Sequence, residues 1–415
     1  MNSALMNTRL PNREPDSYSF DDMLRKPRLF TAGPTPVHPE ASRALVGPQP
    51  YHRTAEFSAC FERVQAGLRC AFRTAGPVAV IAASGTGGME AAFANLFSDA
   101  DQVAVIETGK FGERWTQIAA AYGVPTTVMK LEAGAPLAPA VAAEFVAAGQ
   151  SLTGMLLSAS ETSTATAFDV EGIARAVREV SPDIALVVDG ITAVGALPIE
   201  TDAWQIDAVV GGAQKGLMMP PGLAFVACSP RGWERIRADR STPRFYFDLR
   251  RYAESAGKDQ TPFTPAIGLV RALDAALAAI DEAGGIGALE DNADTLATAT
   301  RAAAGALGLE LLSKAAPSPA VTAILAPEPG SAPEIIALLR DGYAAQVSGG
   351  QGGLKPDIFR IGHIGYVDDI DLLGLIGVLE QVLQLLGHPL DLGAGVAAAS
   401  AALVQRRASG RNATE

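Results

Sequence analysis

The chain is short of cysteine. Among its 415 residues only Cys60, Cys70 and Cys228 occur, an odd number, widely spaced and without a C-x-x-C pair. Neither a disulfide framework nor a structural zinc site is expected from them, and they read as ordinary free thiols. Charge is sparse too, at 19% of residues, and its balance is acidic, with a formal net charge of −12. That excludes a sequence-independent nucleic-acid binder, which needs a net basic face, but not a local pocket for a small anion. No apolar run is long and unbroken enough to span a bilayer, so no membrane association is expected. The opening stretch MNSALMNTRLPNREPDSYSFDD has no apolar segment before a small-residue cleavage site. A secretory leader is therefore not expected, and the cytoplasm is the default. No internal repeat is visible. No G-x-G-x-x-G follows the first apolar run with an acidic residue at the right distance, which argues against a nicotinamide dehydrogenase.

What the chain does have is a large apolar share, 48% of residues, and the length for two or three domains. Residues 1–27 are polar and aperiodic and read as an arm; 406–415 (RRASGRNATE) read as a flexible tail. From residue 28 to about 230, short runs rich in Val and Ile alternate with helix-like stretches. The runs are 77–83, 102–107, 126–130, 153–158, 184–189, 207–212 and 223–228. Each holds four to six core residues with little alternation, the pattern of strands buried on both faces. Strand–helix units repeated in this way predict an α/β fold with a mostly parallel sheet. The texture changes after residue 231. Helical patterns at 264–285, 287–307, 333–342 and 368–386 surround extended runs at 321–326 and 358–365, which predicts a smaller C-terminal α+β domain. The expected division is a large domain at 28–285 and a small one at 286–405.

Four places carry chemistry. Lys215, in GGAQKGLMMPPG, directly follows a buried strand and precedes apolar residues, a poor place for a solvated ammonium. Desolvation lowers an amine's pKa and makes it nucleophilic. Asp189 ends the strand IALVVD, where open α/β sheets place their ligands, although an Asp there also serves as a helix N-cap. Ser84-Gly85-Thr86-Gly87 lies between a strand and a helix, the arrangement that offers backbone N–H groups to a phosphate. Arg360, between apolar neighbours in DIFRIGHIG, needs an anion, either a ligand carboxylate or an internal acid.

In that order, and with FTAGPTPVHPEA, VVDGITAVGA, GGAQKG with PPG, and FRIGHIGYVD, the chain resembles the class V aminotransferases of fold type I, the group that includes alanine–glyoxylate and serine–glyoxylate aminotransferases. The resemblance covers residues 30 to about 380. It implies pyridoxal 5′-phosphate held as a Schiff base on Lys215, the catalytic residue. It also implies a ring nitrogen paired with Asp189 and a phosphate bound by Ser84, Gly85, Thr86 and Gln214. Phe111 falls where the family stacks an aromatic ring, and several relatives carry Trp there. Ser163 matches the hydroxyl that meets the cofactor's phenolic oxygen, with Thr162 one residue away as the alternative. Thr261 or Thr264 would reach the phosphate of a partner subunit, implying a homodimer with shared active sites. Gly33 and Arg360 would hold the substrate carboxylate, and no metal is implied. His52 and Arg53 match a pair that some relatives use for a second anionic group; a structural role fits them equally. The implied reaction transfers an amino group from a small amino acid (alanine, serine or an aspartate-like donor) to a 2-oxo acid such as glyoxylate or pyruvate. A lyase on the same scaffold, or an accessory subunit retaining the fold, is the alternative.

Overall fold

The structure, a computed structural model, describes residues 26–149, 151–238 and 242–412. Most of the expected N-terminal arm therefore lies outside the described residues. A three-residue strand, β1 (Arg28–Phe30), comes first. The apolar runs then become strands: β2 (Val78–Ile81), β3 (Val103–Glu107), β4 (Thr126–Lys130) and β5 (Gly154–Ser158). A short hairpin follows, β6 (Ser160–Glu161) with β7 (Thr166–Ala167), and then β8 (Ala185–Asp189), β9 (Ala208–Gly212) and β10 (Ala224–Cys228). Seven of these form one sheet in the order β2-β10-β9-β8-β5-β3-β4. All neighbours are parallel except β10, which runs antiparallel to both β2 and β9.

The unbroken apolar runs are explained by burial on both faces. In β8, Leu186 and Val188 belong to one hydrophobic cluster and Ala185 and Val187 to the other; in β3, Ala104 and Ile106 face one side and Val103 and Val105 the opposite one. Each fully buried Val or Leu contributes about 1.5–3 kcal/mol, so neither face can give up its helices. Parallel pairing of β5, β8 and β9 puts their C-terminal ends along one edge, with Ser158 beside Asp189 and Asp189 beside Val210.

A second sheet forms from β11 (Val321–Leu325), β12 (Ala345–Gly349) and β13 (Ile358–Gly362), in the order β1-β12-β13-β11. Its outer member is β1, parallel to β12 with Phe30 opposite Val347. Residues 28–30, read from sequence as the start of the large domain, thus belong to the sheet built by the C-terminal third. Of the stretch 406–415, read from sequence as a flexible tail, the described residues continue a helix that runs Ala394–Asn412. Arg406 pairs with Asp294 and Arg407 with Asp369, tying that helix to its neighbours. Among the described residues no helix is long and apolar enough to cross a membrane.

Candidate active site

Lys215 follows β9 by three residues and is 8% exposed. Its Nζ donates to the Ala32 carbonyl at 2.6 Å. Gly33, at φ +130°, backs against it so closely that a Cβ there would lie 2.2 Å from Nζ. Thr35 fastens the same loop, its N–H donating to the Gln214 carbonyl at 3.2 Å and its hydroxyl to the Lys215 carbonyl at 2.9 Å. The loop stays in place because β13 and the turn after it let it pass: a Cβ on Gly362 would come within 2.4 Å of the Thr31 carbonyl, and one on Gly365 (φ +93°) within 2.5 Å of Thr35. Burial pulls the Lys215 amine down to about 8, against the opposing pull of Asp189 and with a further push from Arg360 and Arg114.

Asp189 is 5% exposed. One oxygen accepts from the Ile191 N–H at 2.9 Å and the other from the Ser158 hydroxyl at 3.4 Å. Burial raises its carboxyl to about 6, while the Ile191 N–H lowers it and Glu161 raises it further. Ile191 also packs on the Ser84–Gly87 turn, where a Cβ on Gly85 would sit 2.6 Å from Ile191 Cδ1. Ser84 is the N-cap of the Gly85–Leu96 helix but makes no side-chain capping bond, and the first turn carries no acidic residue. A positive helix end with a free hydroxyl and no acid suits a phosphate. Nearby, Gln214 buries its Oε1 without a hydrogen-bond partner.

Arg360 lies on β13, 5% exposed. Nε and Nη2 donate to the Gly349 carbonyl at 2.9 and 2.6 Å, and Nη1 to the Thr162 carbonyl at 2.6 Å. No ion pair reaches it among the described residues. Burial lowers its pKa, with Glu161 opposing. An arginine has five N–H donors; three are used on carbonyls, leaving one on each terminal nitrogen, a fork suited to a carboxylate.

Phe111 opens the Lys110–Ala121 helix, and Arg114 lies over its ring at 5.0 Å while donating to the Thr86 hydroxyl at 3.1 Å. The Ser163 hydroxyl accepts from the Lys110 N–H at 3.0 Å; Thr162 instead offers its carbonyl to Arg360. A cleft of about 670 Å³ opens beside Ser163, between the start of that helix and the 351–354 turn. Some expected residues do not join the cluster in this chain. Thr261 is buried and donates to the Phe263 carbonyl at 2.8 Å, and Thr264 is exposed. Arg53 donates to Gln260 at 2.8 Å. His363 is buried with Nε2 2.8 Å from the Thr322 hydroxyl, and burial drives its pKa down to about 3. It is a neutral residue tied to β11.

Two residues of the site were missed in the sequence: Arg114 and the fully buried Glu161. The signal for Glu161 was available, since SETSTAT is a polar run enclosed by core. These groups fit pyridoxal phosphate on their own terms. The cluster has a buried amine, a buried acid coupled to it, an uncapped helix start and an arginine without an ion-pair partner among the described residues.

Comparison with known proteins agrees with this arrangement. Residues 40–363 match the model of the family described as aminotransferase class V. A protein named soluble hydrogenase, small subunit, from a Synechococcus species is 41% identical over 92% of this chain and 99% of its own length. An L-aspartate–glyoxylate aminotransferase from Paracoccus denitrificans is 31% identical over 89% of this chain and 94% of its own. The solved structure of an aspartate aminotransferase from Thermus thermophilus superimposes with a TM-score of 0.80 at 35% identity, covering 86% of this chain and 99% of that one.

Proposed function

Because the chain belongs to the class V aminotransferases, enzymes that use pyridoxal phosphate, we propose that it moves an amino group from a small amino acid to a 2-oxo acid at the site around Lys215. Alanine, serine or an aspartate-like donor, with glyoxylate or pyruvate as acceptor, is the substrate class in view. The observation that carries this reading is the buried Lys215 amine, depressed to about 8, beside the buried Asp189.

The cofactor, when bound, supplies an aldehyde carbon that captures an amine and a ring that takes up the electrons left when a Cα–H bond breaks. Each residue then has a physical task. Arg360 receives the substrate carboxylate on its two free N–H groups. Lys215 would be the base that takes the substrate's α-proton and later returns it; a base near neutrality suits both directions. Asp189 holds a proton at the ring nitrogen, and that cation relieves the cost of burying the carboxylate. Ser84, Gly85, Thr86 and Gln214 hold the phosphate, and Phe111 covers the ring. The turn at Gly33 keeps water from the amine. Thr261 and Thr264 serve a second subunit's phosphate in a homodimer.

The Synechococcus relative's name favours examining one other reading, an accessory subunit that retains the fold. Two features support catalysis instead: the amine, acid and arginine are all present, and their burial would be costly without a ligand to use them. The test is a matrix of amino donors and 2-oxo acceptors on the purified protein, read by oxo-acid formation and by conversion of the cofactor to its pyridoxamine form. Transfer with at least one pair is expected. Release of product with no pyridoxamine form would indicate a lyase, and no cofactor absorbance at all an accessory protein.

A further inference from the structure

Arg114 comes three residues after Phe111 in GKFGERW, a spacing that puts both side chains on one face of the Lys110–Ala121 helix. Its guanidinium carbon lies 5.0 Å from the centre of the Phe111 ring, a cation–π distance. Its Nη1 donates to the Thr86 hydroxyl at 3.1 Å, its one side-chain hydrogen bond among the described residues. This half-buried cation therefore meets an aromatic face and a neutral hydroxyl, and no carboxylate pairs with it among the described residues. Thr86 belongs to the Ser84–Gly87 turn that opens the Gly85–Leu96 helix. One guanidinium thus joins the aromatic residue assigned to the cofactor's ring to the turn assigned to its phosphate.

The hydrogens at Thr86 can be counted. A threonine hydroxyl has one hydrogen and two lone pairs. One lone pair takes the Arg114 N–H, and among the described residues no group of the chain accepts the hydroxyl hydrogen. A donor is left over, at a helix start that already favours an anion. We propose that Arg114 is a positioning residue for the phosphate: held against the Phe111 ring, it fixes the Thr86 oxygen as its acceptor and so reserves the Thr86 hydrogen for the phosphate. This rests on the reading that the Ser84–Gly87 turn holds the phosphate of pyridoxal phosphate. Without Arg114 the hydroxyl rotates freely, and its hydrogen is no longer committed to the anion.

The test compares two ligands on the full-length protein freed of cofactor: pyridoxal 5′-phosphate, and pyridoxal, which lacks only the phosphate. The readout is the ratio of their dissociation constants. Arg114 also helps to depress the Lys215 amine, so its loss changes the capture of both aldehydes alike, and the ratio cancels that effect. Arg114→Met keeps an unbranched side chain but no donor, and should cut the preference for the phosphorylated ligand by about tenfold, as loss of a hydrogen bond to a charged group does. Thr86→Val should cut it by a similar factor, and the double variant no further than Thr86→Val alone, because the arginine acts through that hydroxyl. An unchanged ratio in Arg114→Met shows a merely structural role, and additive losses show an arginine that acts on the anion directly; either result overturns the proposal. Should Arg114→Met not fold, Arg114→Lys takes its place. An ammonium is a point charge without the planar fork, so a loss of preference of about threefold or more is expected, and an unchanged ratio again overturns the proposal. If wild type captures neither ligand, or holds pyridoxal as tightly as its phosphate, the reading of the turn as a cofactor phosphate site falls, and the proposal with it.

Discussion

Desolvation sets the behaviour of the Lys215 and Asp189 side chains, and each gives a pH-dependent expectation. Lys215 reacts with an aldehyde only as the neutral amine. With its pKa drawn down to about 8, capture of pyridoxal phosphate by the apoprotein should quicken with pH and reach half its maximum near 8. Lys215→Ala should bind the cofactor without covalent attachment and lose essentially all turnover. A rate that keeps climbing toward pH 10 would show the amine to be solvated. Asp189 works in the opposite sense. Its folded value, about 6, lies above the ordinary 3.8, so the folded apoprotein binds more protons than the unfolded chain between those values, and stability falls as pH rises through that window. Asp189→Asn should therefore stabilise the apoprotein at pH 7 by roughly 1–3 kcal/mol while cutting turnover. Urea unfolding of the two apoproteins decides the first point. Lys215, Asp189 and Arg360 were legible in the sequence because each is a charged residue set among apolar ones. Glu161 carried only the weaker signal of a polar run enclosed by core, since two of its four donors are backbone N–H groups of a distant helix, and Arg114 reads like any charged residue on a helix surface.

Among the elements, six strands of the large sheet stood out because burial leaves unbroken apolar runs, while the edge strand β4 is only partly buried. Their directions did not: an antiparallel β10 has the same composition as a parallel neighbour. β1 was missed because three residues carry no periodicity, and the last helix because an alanine-rich stretch ending in Arg406-Arg407 resembles a solvated tail. The glycines of FRIGHIG acquire a reason only from the structure. Gly362→Ala should destabilise by more than about 2 kcal/mol and loosen the loop over Lys215, since its Cβ would strike the Thr31 carbonyl. Gly374, inside the Asp369–Leu385 helix with nothing within 4 Å of a Cβ, is the control; Ala there should stabilise by about 0.5–1 kcal/mol. Thermal unfolding of both variants checks the contrast, and similar losses in the two would refute it.

At the scale of the whole molecule, the proposed homodimer has a surface to account for. Phe245 is 65% exposed and Tyr246 40%, and Tyr246 stacks on Phe263 at 5.0 Å, in the loop that holds Thr261 and Thr264. Exposed aromatic groupings of this kind mark interfaces. Sedimentation should find a dimer, and Phe245→Ser with Tyr246→Ser should shift it toward monomer and weaken cofactor retention together. Loss of the dimer with undiminished retention would place the whole site within one chain.

Strand β1 also has a bearing on synthesis. Residues 28–30 leave the ribosome early, yet the strands they join, ending at Gly362, are made more than three hundred residues later. The large sheet can assemble in the meantime and Thr35 can already bond Gln214 and Lys215, but residues 28–30 have no partner strand until that late pairing closes a very long loop. A nascent chain halted before β12 would hold its sheet and its lysine, with the loop over the lysine held at Thr35 but not yet at its β1 end.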